Sequence, residues 1–108
     1  MLHFEFGKSA LLPESKLELD RIVEFLRQKD KTIAVEIHGH TDEVGSDAVN
    51  MQLSKARAQS VLNYLASRGV RKRSMKALGF GKTMPVDSSG SEEAMAKNRR
   101  VELVVKSL

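Results

Sequence analysis

Three groups of side chains in this chain have the types and spacing that could do chemistry. The first is His38, His40 and Asp42, an H-x-H-x-D pattern at the end of an apolar, alternating segment. Were the extended backbone to run on through it, alternation would send all three side chains to one side, and imidazole and carboxylate at that spacing can chelate zinc or another transition metal. The chain has no cysteine, its only other histidine is His3, and no second ligand cluster completes a shell. Strand-end histidines bonded to neighbours are the simpler reading, with a metal-dependent hydrolase as the alternative. The second group is G-F-G-K at 79–82, which lacks the full phosphate-loop spacing and reads as a tight turn. The third is the set of polar residues at the ends of predicted elements: Thr41, Asp42, Asn50, Arg57, Asn98, Arg99 and Arg100.

The elements that must position these residues follow from periodicity. Phe4 and Phe6 alternate with His3 and Glu5 as in a short strand with one buried face, and Gly7 frees the chain to turn. Pro13 suits a first helical turn, and Leu19, Ile22, Val23 and Leu26 make one apolar stripe, which predicts a helix over 13–29. Ile33, Val35 and Ile37 share a face of a strand that Gly39 ends. Ser46 or Asp47 caps a helix carrying Ala58, Val61, Leu62 and Leu65 and closed by Gly69; Ser54 is a second plausible cap, so two helical pieces are admitted. Strands follow at 74–80 and 101–105, separated by the polar loop K-T-M-P-V-D-S-S-G-S and a short helix over 91–98. The expected class is α+β, a mixed sheet with helices packed against it in a two-layer sandwich, with residues 1–108 as one domain.

Composition removes several functions. The chain is 41% hydrophobic and 30% charged, as in an ordinary globule, and no run is long and apolar enough for a membrane helix. The first residues lack a signal-peptide pattern, so any signal or anchor is expected outside this chain. Without cysteine there are no disulfides, thiolate sites or thiol nucleophiles. No nucleophile elbow or triad is present, and no cofactor motif. A net charge of +4 favours anionic partners. The basic run Arg68–Arg73 lacks the aromatic residues that accompany single-strand binding, so it reads as a solvated turn and nucleic acid is not expected.

The stretches H-G-H-T-D-E-V-G at 38–45, N-M-Q-L-S-K-A-R-A at 50–58, Y-L-A-S-R-G-V at 64–70, G-F-G-K-T-M-P at 79–85 and K-N-R-R-V-E-L at 97–103 together resemble the OmpA-like family. The likeness begins at F-E-F-G-K-S-A and runs in order into the last strand. It implies a βαβαβ core plus a final strand, no enzymatic activity, and peptidoglycan as ligand, held at the diaminopimelate of its stem peptide. It also implies a periplasmic place, attached to the outer membrane through a parent protein, with membrane contact only through a segment outside this chain. By position Asp42 and Arg57 match the acid and base that grip the diaminopimelate zwitterion, whose ammonium suits a carboxylate and whose carboxylate suits a guanidinium. Thr41, Asn50 and Arg99 match other pocket positions. A structural ion pair is the alternative use of Asp42 and Arg57, and an envelope protein-interaction module the alternative use of the fold.

The chain departs from the family pattern at two places. Many members carry F-D-F with Asp or Asn two places after the second phenylalanine, whereas here Glu5 sits between the phenylalanines and Gly7 follows, and Ala94, Met95 and Ala96 stand where members often show G-R-A. These departures admit a changed ligand, such as a stem peptide with ornithine or lysine, or loss of wall binding.

Overall fold

The computed structural model describes residues 2–29 and 32–107. Its elements are β1 (Leu2–His3), α1 (Pro13–Gln28), β2 (Ile33–Gly39), α2 (Asp47–Ser67), a single 3-10 turn (Lys72–Ser74), β3 (Met75–Gly79), α3 (Glu92–Asn98) and β4 (Arg100–Ser107). The sheet order is β1-β4-β2-β3, with β2 and β3 parallel and the other pairs antiparallel. This is the expected α+β arrangement with a mixed sheet. None of the described helices is long and apolar enough to cross a membrane.

Period-two burial along β2 places Ile33, Val35 and Ile37 inward, and they pack with Leu19, Val23 and Leu26 of α1 and Ala58, Val61 and Leu65 of α2 in one core. Pro13 opens α1 at a position where a missing N–H costs nothing, and Ser46 caps α2 by accepting from Val49 N at 3.2 Å.

Two expectations need correction. Phe4 is buried, but Phe6 is 60% exposed and the strand is only Leu2–His3. The ladder ends with Phe4 N donating to Arg99 O, and a turn closed by Lys8 N to Glu5 O, with Gly7 at φ +68°, reverses the chain and breaks the alternation. The second concerns α2, which is one continuous helix rather than two pieces. Its buried stripe runs Asn50, Ser54, Arg57, Ala58, Val61, Leu62, Leu65, so the first half of the stripe is polar. A pattern that scores only apolar residues sees the helix start too late.

Ser54 is fully buried, and it marks where α2 presses onto the sheet. Gly39 and Gly79 are register partners at the ends of β2 and β3. A Cβ at Gly39 would lie 1.9 Å from the Ser54 carbonyl oxygen, and one at Gly79 would lie 2.6 Å from its Oγ. The absence of both side chains lets the helix backbone touch the strand ends. Gly39→Ala should therefore cost about 3 kcal/mol or more, beyond ordinary overpacking because the obstacle is main chain. Urea unfolding would measure it, and a loss under about 1 kcal/mol would contradict the close contact.

Candidate functional site

The close approach of α2 sets Asn50 and Arg57 beneath the loop that follows β2. Within that loop Asp42 folds back, its Oδ1 accepting from Val44 N at 3.0 Å, and Thr41 Oγ1 donates to Asp42 O at 2.9 Å. Asn50 Nδ2 donates to Val44 O at 3.0 Å, which fixes the loop to the helix. Thr41, Asp42 and Asn50 are all buried.

Arg57 has no solvent exposure. Its Nε donates to Lys8 O at 2.8 Å, Nη1 to His40 O at 2.9 Å and Nη2 to Glu5 O at 3.0 Å. The guanidinium carbon lies 5.3 Å from the centre of the Phe4 ring. Burial is the main influence on this group and holds its pKa down at about 10; the Asp42 charge opposes that effect and Arg99 adds to it. Arg99 donates from Nε to Phe4 O at 3.0 Å and from Nη1 to Asp42 Oδ2 at 3.1 Å. Both arginines thus hold the turn after β1 by its carbonyls, one from α2 and one from the residue between α3 and β4.

Two clefts meet here. One, of about 150 Å³, reaches Arg57 and is lined also by Gly7, Thr41, Asp42, Asn50 and the apolar side chains of Phe6, Val44, Val49 and Leu53. The other, of about 300 Å³, reaches Arg99 past Glu92 and Met95. Phe6, Asp42 and Val44 line both. All five residues expected from the sequence, Thr41, Asp42, Asn50, Arg57 and Arg99, come together around these clefts. The apolar rim escaped the sequence reading. Val49 lies off the buried stripe of α2, and Val44 is a lone valine in a polar loop, so neither belongs to an apolar period.

The H-x-H-x-D residues separate. β2 ends at Gly39, the alternation stops there, and Asp42 turns toward Arg99. His38 and His40 lie against Phe80, with ring centres 4.9 and 5.4 Å from it, and His38 Nε2 is 2.9 Å from Glu36 Oε1. Among the described residues no three His, Asp or Glu side chains are grouped to hold a metal ion.

The rest of the N-R-R segment anchors the polar loop before α3. Asn98 Oδ1 accepts from Val86 N at 2.8 Å and Asp87 N at 3.3 Å, while its Nδ2 donates to Asp87 O at 2.8 Å. Arg100 Nη2 donates to Met84 O at 2.9 Å and its Nε bonds the Glu102 carboxylate. The G-F-G-K turn is a tether as well. Gly81 N donates to Ser54 Oγ, Thr41 N to Gly81 O, and Lys82 Nζ to Gly45 O at 3.0 Å.

Comparison with known proteins places this architecture. The OmpA family model matches residues 3–99. The chain belongs to the OmpA family. This OmpA-family chain is 39% identical to outer membrane protein A of Bordetella avium over 102 residues, 94% of the chain and 52% of that protein. It is also 39% identical to outer membrane porin F of Pseudomonas fluorescens, covering 94% of the chain and 31% of the porin. The chain spans about half or less of the length of these curated relatives. Among solved structures, the peptidoglycan-associated lipoprotein from Burkholderia pseudomallei superposes with a TM-score of 0.93 at 30% identity, over 97% of this chain and 88% of that one. The C-terminal domain of Helicobacter pylori MotB gives 0.90 at 25% identity, over 97% and 82%. None of these relatives is named for an enzymatic activity.

His40 gives the site's underside a pH signature. It is buried, its Nδ1 has no hydrogen-bond partner among the described residues, and its Nε2 is 3.9 Å from Glu102 Oε2. Burial first, and then the Arg100 charge, push its pKa down to about 4; Glu102 pulls the other way and His38 adds slightly to the depression. The unfolded chain takes up this proton near pH 6.5 and the folded chain refuses it until about 4, so stability is full above that window and falls as pH drops through it. Acidification from pH 7 to 4.5 should lower the unfolding free energy by on the order of 2–3 kcal/mol. His40→Leu should remove that slope between pH 6.5 and 5, and an unchanged slope in denaturant melts would refute the assignment.

Proposed function

We propose that residues 1–108 form one peptidoglycan-binding module that holds the cell wall by the charged side-chain end of its stem peptide, without making or breaking a bond. The observation that carries this reading is the meeting of Asp42 with the Arg57 and Arg99 guanidiniums around two adjoining clefts, with Thr41 and Asn50 framing them. One acid and two bases can meet an ammonium and a carboxylate. The rim of Phe6, Val44 and Val49 suits the methylene spacer that separates this end from the peptide backbone. The printed name of the lipoprotein with the same fold, peptidoglycan-associated, points the same way. Diaminopimelate is the stem residue that fits. Relatives named as outer membrane proteins support a periplasmic location, with attachment to the outer membrane supplied by a longer parent protein.

Each charged hydrogen bond shielded from water is worth about 1.5–3 kcal/mol, so Asp42→Ala or Arg57→Ala should weaken binding of a diaminopimelate-containing muropeptide by roughly ten- to a hundredfold. Arg57 holds the turn after β1 by two carbonyls and Arg99 by one, so Arg99→Ala, which leaves the three Arg57 bonds in place, is the milder test of charge loss. Calorimetry on variants whose circular dichroism matches wild type is the measurement. Unchanged affinity in all three would exclude this site. Capture of an envelope protein without co-sedimentation with peptidoglycan would favour an interaction module instead.

A further inference from the structure

Charge is unevenly distributed along this chain. Between Asp47 and Asp87 there are eight lysines and arginines and no aspartate or glutamate, so the net charge of +4 is the difference between a strongly positive stretch and a negative remainder. The fold gathers much of that stretch at one end. α2 begins beside the clefts, with Asn50, and finishes at Ser67, about 30 Å along the helix. Past it come Arg68, the 3-10 turn Lys72–Ser74 and the start of β3, which runs back toward Gly79. Arg27 of α1 joins them: a Cβ at Gly69 would lie 3.3 Å from its Nε. Arg27, Arg68, Lys72, Arg73 and Lys76 are all exposed.

The fold itself accounts for part of this cluster. α1 and α2 both end here, and two helix C-termini present about one negative charge between them. Arg27 and Arg68 suffice to balance it. Arg68 is also engaged by Asp20, 3.6 Å from its Nε, and donates from Nη2 to Tyr64 Oη at 3.0 Å. Lysine on an edge strand deters pairing with another chain, which covers Lys76. Lys72 and Arg73 serve neither purpose, and with Lys76 they make no ion pair among the described residues. Nearby acids are already bonded: Glu36, the register partner of Lys76, to Lys106 at 2.9 Å, and Glu24 to Gln28 at 3.3 Å.

The surroundings select among anionic partners. No large hydrophobic side chain of residues 50–83 is exposed, so this end lacks the apolar anchors on which protein interfaces depend. Its aromatic ring, Tyr64, is covered by the Arg68 guanidinium at 5.1 Å, which leaves nucleic-acid bases no platform. Of these basic side chains Lys72 alone lines the open depression between α2 and the 3-10 turn, so the charges project outward rather than into a groove. A flat, densely anionic surface needs neither pocket nor anchor, because its attraction sums over the charges that reach it.

We propose that this end of the module docks electrostatically on a bilayer surface rich in anionic phospholipid, through Lys72, Arg73 and Lys76 with Arg27 beside them. The family likeness places membrane contact outside this chain; this end adds a contact within it. The clefts, at the other end of α2, stay clear of the lipid. Lipid docking is separable from the peptidoglycan reading, because no muropeptide enters its test.

Co-sedimentation of the wild-type chain with vesicles of phosphatidylglycerol and phosphatidylcholine in equal parts measures it, in about 0.1 M salt, where charges more than about 10 Å from the surface are screened. Each basic side chain at such a surface is worth about fivefold in affinity, so Lys72→Gln, Arg73→Gln and Lys76→Gln combined should weaken binding about a hundredfold. Lys16→Gln, Lys55→Gln and Lys97→Gln combined remove the same charge from exposed positions elsewhere and should weaken it no more than about threefold. Circular dichroism matching wild type checks that both variants fold. No binding by the wild-type chain, equal binding to phosphatidylcholine alone, or equal losses in the two variants would each overturn the proposal. So would tighter binding of a single-stranded oligonucleotide than of the vesicles at equal phosphate concentration, which would reassign this end to nucleic acid.

Discussion

A buried guanidinium organises this fold. Arg57 reaches from the middle of α2 to carbonyls at Glu5, Lys8 and His40, the farthest of them 52 residues away from it in sequence. Through them it joins the turn after β1, the end of β2 and the longest helix. Those carbonyls need donors because they lie where strands stop and no ladder partner follows. The same side chain is the charge toward which the narrower cleft opens. Structure and the proposed recognition therefore draw on one residue, and the fold carries a buried cation that an apolar replacement would avoid.

The N-R-R segment divides its labour among adjacent residues. Asn98 and Arg100 face the loop before α3 and hold its main chain, while Arg99 faces Asp42 and the turn after β1. The three span the end of α3, its C-cap and the first residue of β4, so the change of direction lets consecutive polar residues serve two regions. A similar economy appears at the same end of the sheet, where G-F-G-K after β3 supplies backbone and a lysine to fasten the loop containing Asp42.

Much of this was legible in the sequence where burial followed period. The alternation of Ile33, Val35 and Ile37 and the stripe of Leu19, Val23 and Leu26 appear in the structure as read. Reading failed where a polar residue occupied a buried place or a turn intervened. Ser54 looked like a cap because serine seldom lies under a helix, yet here it fills the space opened by two glycines. Phe6 looked like a core residue because alternation does not reveal that Gly7 reverses the chain. The five site residues were gathered by resemblance to a family. Their types alone said that they were polar, not that the loop after β2, the helix α2 and the residue before β4 would bring them together.

The loop before α3 has no helix or strand of its own, and its main chain is held at Met84, Val86 and Asp87 by two side chains outside it. Its interior side chains contribute little to that attachment, and it adjoins the clefts through Thr41 and Met95. Length and composition can change between Asp87 and the α3 cap Ser91 without disturbing the sheet. This makes the segment a natural point for grafting: a longer insert there would extend the wall of the proposed recognition surface while the frame that holds the charges stays as it is.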